Sequence, residues 1–381
     1  MPQPMPMQTA ALWGVEGRPV TVGATFSQRL PVLQIVGLPA SAARETAEKV
    51  QSALEASGFG FRPLRLVVEL GPADLPKQGM HYDLPVALAA LLAANGSTRP
   101  GWAALGELSL DGTVRPVRGL VPMLQALKRA RVKHVLVPSE QATEALLVRG
   151  IAIHPVQIFR EAWTTLYGGL GVIPALRGKP VYCQPTSQSM LRGPLPERLR
   201  EPAQRVLAAL RRGQAVLLRS RLSSGRTLVV RWAVDQLPNL SPKAALEVAT
   251  IASAAGLTAP GACLPIRPPL RAPHYSASLN GVIGTMQAPG EVTLAHRGVL
   301  LLDEVAEFSR PVLEGVREAQ RAGVIHLVGP HGGALVPAKF ALVATLTTGQ
   351  DSDERDINRV WKLLWSAERD SRLVLVHLDA G

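Results

Sequence analysis

Two adjacent carboxylates, Asp303 and Glu304, follow the run Gly298-Val299-Leu300-Leu301-Leu302. An uninterrupted apolar stretch of this kind reads as a buried parallel strand that delivers both acids at its C-terminal end. Ligands of open α/β sheets bind at that edge. In nucleoside triphosphatases an acid placed there holds Mg²⁺, and its neighbour can polarise the attacking water. That chemistry needs a phosphate-cradling loop upstream. The candidate is Ser220-Arg221-Leu222-Ser223-Ser224-Gly225-Arg226-Thr227, which follows the apolar run Ala215-Val216-Leu217-Leu218 and precedes a helix-like segment. It departs twice from the G-x-x-x-x-G-K-[ST] pattern, with Ser220 for the first glycine and Arg226 for the lysine. Ser220 lacks glycine's freedom at φ > 0, and Arg226 keeps the charge but as a bulkier planar fork. The expected nucleotide-binding set is Ser220, Ser223, Ser224, Gly225, Arg226, Thr227 and Asp303, with Thr227 and Asp303 on the metal and Glu304 on the water. The metal half of this site reads as intact and the phosphate half as altered.

The elements that must position these residues fall into two groups. Residues 8–168 read as a compact α/β unit. Its expected strands are Pro31–Val36, Leu64–Leu70 and His134–Val137, and its expected helices are Ser41–Ser57, Leu84–Ala94 and Pro122–Arg131. The second of those helices is apolar almost all round, which predicts burial. Residues 169–196, rich in Gly, Pro, Ser and Gln, read as a linker. Residues 197–381 form the second unit, with expected helices at Pro202–Arg212, Leu240–Ala255 and Pro311–Ala322 and core strands at Leu300–Glu304 and Ala341–Leu346.

Composition narrows the class. At 381 residues with 47% apolar and 18% charged residues, the chain is long enough for two or three cores and has a globular composition. The N-terminus lacks the order of a signal peptide, and no apolar stretch reaches bilayer length, so a soluble cytoplasmic protein without membrane contact is expected. Cys183 and Cys263 sit in no metal-ligand spacing and read as idle thiols. The formal net charge is +12, and ten arginines lie between Arg192 and Arg231 against the acids Glu197 and Glu201. Such a stripe fits phosphate-rich partners, and equally a solvated helix face.

Longer motifs carry a resemblance. In the first unit these are Ile35-Val36-Gly37-Leu38-Pro39, the run Leu70-Gly71-Pro72-Ala73-Asp74-Leu75-Pro76-Lys77-Gln78-Gly79, and Tyr82-Asp83-Leu84-Pro85-Val86-Ala87-Leu88. In the second they are Arg271-Ala272-Pro273-His274-Tyr275-Ser276-Ala277-Ser278, Pro289-Gly290-Glu291-Val292-Thr293-Leu294-Ala295-His296 and Glu307-Phe308-Ser309-Arg310. Together they resemble the ComM-like, magnesium-chelatase-like AAA+ family. The resemblance implies an α/β protein. Its first part is a Lon-protease-like α+β domain of the ribosomal-protein-S5 type, followed by a P-loop AAA+ domain. Members are similar to ring-forming, ATP-driven motors, and the implied role is DNA branch migration during natural transformation. ATP, Mg²⁺, DNA and a homo- or hetero-oligomeric ring are therefore the implied cofactors and partners.

Residue by residue, the resemblance places Thr347 where the family has an asparagine that orients the lytic water. It places Arg372 as the arginine completing a neighbour's site. A helical lid with a second phosphate-sensing arginine is not seen before Gly381. In the first unit, His81 stands where Lon-type peptidases carry serine and Met123 where they carry lysine, so peptidase chemistry is not expected. Two functional readings follow: a DNA-acting ATPase with weakened motifs, or a pseudo-ATPase that binds DNA or serves as a structural partner subunit. A remnant without selected activity is a third.

Overall fold

The computed structural model describes residues 6–27, 33–60, 65–77, 79, 81–168, 172–177, 180–183, 194–220, 225–258, 261–347 and 373–378. The chain divides into two compact units, Met1–Val181 with Ala252–Cys263, and Tyr182–Ile251 with Leu264–Gly381.

The first unit contains β1 (Met7–Trp13), β2 (Glu16–Ser27), β3 (Leu33–Val36), α1 (Ala40–Ala56), β4 (Arg65–Gly71), α2 (Asp83–Ala94) and β5 (Trp102–Ala104). It continues with β6 (Glu107–Leu108), β7 (Val114–Arg115), α3 (Leu120–Arg129), β8 (His134–Pro138), α4 (Ala142–Ala145), β9 (Ala152–Val156) and α5 (Phe159–Tyr167). Seven strands form one mixed sheet in the order β3-β4-β2-β1-β5-β8-β9. β1 and β2 form an antiparallel hairpin, whereas β5, β8 and β9 run parallel. α2 buries nine of its twelve residues, as expected of a helix apolar on every side. The three expected helices are present, and so are the three expected strands, except that Pro31, Val32 and Leu64 lie outside the described residues. The β1–β2 hairpin and β9 went unpredicted, because Ala, Gly, Pro and Arg interrupt their apolar periodicity.

The second unit contains α6 (Glu197–Arg211), β10 (Ala215–Ser220), α7 (Arg226–Asp235), α8 (Pro242–Ala255, of which the residues from Ala252 on are counted with the first unit), β11 (Leu270–Arg271), α9 (Leu279–Ile283), α10 (Glu291–Leu294) and β12 (Val299–Leu302). It closes with α11 (Arg310–Ala322), β13 (Val324–Gly329), β14 (Gly332–Pro337), β15 (Ala341–Thr347) and β16 (Leu373–Leu378). Five strands form a parallel sheet in the order β11-β12-β15-β10-β16. Its central strands are buried on both faces, with all four residues of β12 inaccessible, which is why they read as continuous apolar runs. Burying each leucine contributes about 1.5–3 kcal/mol. Chain order and spatial order differ in a way that matters: β15 lies between β10, which leads into the glycine loop, and β12, which carries the acids. The end of β15 therefore faces both halves of the site.

α6 begins five residues earlier than expected because Pro202 lies inside it rather than at its start. The β13–β14 hairpin went unpredicted. Its burial alternates, but Val324, Val328 and Leu335 stand on the exposed side and mask the period in the sequence. Neither Cys183 nor Cys263 is a free thiol, which corrects the idle-thiol expectation; their sequence neighbours carry no signal for it. Among the described residues no helix is long and apolar enough to cross a membrane.

Candidate functional site

Chain direction brings the candidate residues together. β10, β12 and β15 all end at the same edge, so Ser220, Asp303, Glu304 and Thr347 meet there. Gly225 takes a left-handed conformation at φ 84° and starts α7, so that Arg226 and Thr227 form its first turn. That positive φ is why glycine is needed at this loop-to-helix junction, and a Cβ there would also lie 2.8 Å from Leu199 Cδ1.

The acids are fixed by β15. Thr345 is fully buried; its hydroxyl donates to Asp303 Oδ1 at 2.5 Å and accepts the Glu304 backbone N–H at 2.9 Å. Glu304 adopts φ 54°, a left-handed conformation uncommon for a residue with a side chain, and the bond to Thr345 helps hold it there. Thr345 was missed by sequence reasoning. Its signal is period-two spacing: in Val343-Ala344-Thr345-Leu346-Thr347 the two hydroxyls share one side of the strand.

Thr227 donates through Oγ1 to Asp303 Oδ2 at 3.3 Å. A hydroxyl beside a carboxylate is a hard-oxygen pair of the kind Mg²⁺ accepts, since that ion keeps most of its shell as water and substrate oxygens. The donor set present therefore fits Mg²⁺, with Thr227 and Asp303 as the residues that would hold it. Among the described residues no group of three or more His, Cys, Asp and Glu could form an all-protein metal cage.

Arg226 behaves unlike a phosphate-binding lysine. Its side chain is 10% exposed and its guanidinium is committed to protein partners. Nη1 donates to Thr347 Oγ1 at 2.7 Å and Nη2 donates to Glu304 Oε1. Thr347 in turn donates its hydroxyl to Glu304 Oε1 at 2.6 Å and its N–H to Oε2 at 3.2 Å. Burial pushes the Glu304 carboxyl up, but the bond from Thr347 and the Arg226 guanidinium outweigh it, so the group sits below its ordinary range. The pair also places a cation at the positive end of α7, an arrangement Glu304 offsets.

The structure thus brings Ser220, Gly225, Arg226, Thr227, Asp303, Glu304 and Thr347 into one neighbourhood. Ser223, Ser224 and Arg372 lie outside the described residues.

The flanking motifs have structural work of their own. Arg271 and Glu291 form two parallel hydrogen bonds, Nε to Oε2 at 2.6 Å and Nη2 to Oε1 at 2.8 Å, tying two of the motif runs together. His296 is 3% exposed, and its Nδ1 accepts the Lys339 N–H at 3.1 Å. Its Nε2 must therefore donate to Glu247 Oε2, at 3.2 Å, which also receives Arg297 Nε at 2.7 Å. His274 is exposed and pairs with its neighbour Ser276. Several arginines of the basic stretch are also occupied: Arg200 with Glu197, Arg205 with Glu201 and the Leu375 carbonyl, and Arg211 with the Gln236 carbonyl. In the first unit His81 and Met123 are both buried.

Comparison with known proteins agrees with this architecture. Residues 22–141 match the family described as subunit ChlI of Mg-chelatase, and residues 200–359 match that described as magnesium chelatase, subunit ChlI. The chain is 34% identical over 352 residues to the protein YifB of Escherichia coli, covering 89% of this chain and 67% of YifB. It is 30% identical over 352 residues to the competence protein ComM of Haemophilus influenzae, covering 88% of this chain and 67% of ComM. A partial likeness to Lon protease 2 of Bacillus subtilis, 26% identical over 153 residues, covers 39% of this chain and 27% of that protease. The chain spans about two thirds of the length of YifB and ComM. With both ChlI-type regions matched and these relatives aligned along most of its length, the chain belongs to the ComM- and YifB-containing, magnesium-chelatase-like family.

Proposed function

We propose that this protein is a ComM-like ATP-binding protein that takes ATP with Mg²⁺ at the edge of the β10–β15–β12 sheet and turns it over slowly. The observation that carries this reading is the pairing of Thr227 with Asp303 beside Glu304 and Thr347. Thr227 and Asp303 would hold Mg²⁺, which when bound neutralises charge on the phosphate oxygens. Gly225 and the N-terminus of α7 supply backbone N–H groups, and Glu304 with Thr347 would orient water. Arg226 limits the rate: to meet phosphate it must leave Glu304, and while it stays the carboxylate is not available to water.

DNA is the proposed substrate, acted on by a cytoplasmic ring of like or mixed subunits in recombination during natural transformation. Membership of a family that includes a competence protein supports this, as does the net charge of +12. Thr347 is proposed in the place of the water-orienting asparagine, and Arg372, with Ser223 and Ser224, as further contacts of the nucleotide site.

The Arg226–Glu304 pair itself favours a second reading. A guanidinium held by two partners makes the site self-satisfied, as a pseudo-ATPase subunit would be.

ATP affinity and turnover of the wild type beside Arg226→Lys and Glu304→Gln, with and without single-stranded DNA, separate the two. The first reading expects binding by the wild type, faster turnover in Arg226→Lys and ATP trapped without hydrolysis in Glu304→Gln. Absence of binding at millimolar ATP in both the wild type and Arg226→Lys would leave only the pseudo-ATPase.

A further inference from the structure

The first unit carries a concentration of positive charge that the nucleotide site does not use. The turn between α3 and β8 and the loop between α4 and β9 meet at the N-terminal ends of two parallel strands, paired His134 to Ala152. They enclose a cavity of about 600 Å³ rimmed by Lys128, Arg131, Lys133, His134, Arg149 and Arg177. Its floor is apolar, with Val132 and Ile151 almost fully buried, and no acidic side chain lines it. This volume lies in the range of small-molecule sites.

The cations are mounted on fixed backbone. Arg131 N–H bonds the Lys128 carbonyl at 3.0 Å and Val132 N–H bonds the Leu127 carbonyl at 3.0 Å, closing the end of α3. Arg131 occupies the left-handed position at φ 62°, where glycine would be unstrained. Lys133 and His134 both donate their N–H to the Gly101 carbonyl, at 2.9 and 3.1 Å. His134 is held further by stacking on Trp102, with ring centroids 4.7 Å apart. It is also bonded through Nδ1 to His154 Nε2 at 3.1 Å, while His154 Nδ1 meets the Ile173 carbonyl at 3.1 Å. Because that carbonyl can only accept, His154 donates from Nδ1 and His134 donates to its Nε2.

The five long cations also lack local compensation. Elsewhere Lys49, Arg226, Arg271 and Arg297 each pair with a glutamate. Among the described residues none of Lys128, Arg131, Lys133, Arg149 and Arg177 forms an ion pair. Like charges gathered round a concave surface repel one another and raise the local concentration of anions. Arginine forks match phosphate oxygens two at a time.

We propose that this cavity is an oligophosphate-binding site, taking a ligand with two or more linked phosphates. Those phosphates come either from a free oligophosphate, such as the tail of a nucleotide, or from consecutive backbone phosphates of a nucleic acid. The site is separate from the one at Asp303, and it stands whether or not that one binds ATP.

Calorimetric titration of the full chain with inorganic tripolyphosphate tests this, in chelator to suppress Mg²⁺-dependent binding at Asp303. The double variant Lys133→Gln with Arg149→Gln and the single variant Arg177→Gln change only exposed side chains, and circular dichroism verifies their folding. Asp303→Asn serves as the control for the other unit. The proposal expects tripolyphosphate affinity to fall at least about tenfold in the double variant, less in Arg177→Gln, and to stay unchanged in Asp303→Asn. A second arm uses a short single-stranded oligonucleotide. If its binding falls in parallel and tripolyphosphate displaces it, backbone phosphates are the ligand; if it is unaffected, the ligand is a free oligophosphate. Equal affinity of wild type and rim variants for tripolyphosphate, or no binding at millimolar concentration, overturns the proposal.

Discussion

Arg226 and Glu304, from opposite halves of the site, are bonded to each other, and Thr347 bonds both. A single oxygen, Glu304 Oε1, receives the guanidinium and the threonine hydroxyl together. Removing either donor leaves the other in place, so the three residues should behave as a unit rather than as a sum. Arg226→Ala is expected to destabilise the second unit by about 1–3 kcal/mol, less than for a fully buried pair because Glu304 is 35% exposed. Thr347→Val should cost about 1 kcal/mol. In the double variant the two effects should depart from additivity by at least about 0.5 kcal/mol. Urea unfolding of all four proteins measures the cycle; strict additivity would show that the contacts are energetically independent.

How much of this was legible in the sequence follows from what each feature depends on. Asp303 and Glu304 were readable because a buried parallel strand must be apolar throughout, and β12 is. Gly225, Arg226 and Thr227 were readable from spacing to a strand before and a helix after. The partner of Arg226 was not. Arg226 and Glu304 lie 78 residues apart, and their meeting depends on β15 intervening between β10 and β12 in the sheet. No local pattern encodes that order. Thr345 was hidden in another way, as one hydroxyl in a strand whose burial is decided by its apolar neighbours. The β13–β14 hairpin escaped because its apolar residues lie on both faces, the exposed one included.

The Arg271–Glu291 contact has a geometry that charge alone does not reproduce. Both guanidinium–carboxylate bonds are short, and the side chains are 34% and 23% exposed. The hydrogen bond to Glu291 and its charge raise the Arg271 pKa above the ordinary arginine value, against the effect of burial. Lysine would keep that charge but offer a point donor in place of the fork. Arg271→Lys is therefore expected to lose most of what Arg271→Ala loses, about 1–2 kcal/mol, and Glu291→Gln a comparable amount. The comparison is read from denaturation midpoints at constant slope. An Arg271→Lys protein as stable as the wild type would show that charge, not the paired geometry, joins the two motif runs.

Adjacent buried groups in the first unit should give its stability an unusual pH profile. Burial pushes Asp83 from 3.8 up to about 7, against the opposing bonds from the Leu108 N–H and Thr46. Among the described residues Asp83 Oδ1 has no hydrogen-bond partner, consistent with a carboxyl that holds its proton. Burial lowers His81 from 6.5 to about 4, against a bond to the Ala10 backbone. The signs oppose. Between about pH 4 and 7 the folded state binds the Asp83 proton that the unfolded state has lost, so this group makes stability fall as pH rises. Between about pH 4 and 6.5 the unfolded state binds the His81 proton that the folded state excludes, so this group makes stability rise with pH. In the wild type the two slopes nearly cancel over their shared window. Asp83→Asn should remove one of them. The variant is expected to gain about 1–3 kcal/mol over the wild type near pH 8, where ionised Asp83 costs most, and to lose stability steadily from about pH 6.5 down to 4. Urea midpoints at three pH values across that span provide the measurement. A variant less stable than the wild type near pH 8, or one with an unchanged profile, would show that Asp83 is ionised and satisfied in the folded protein.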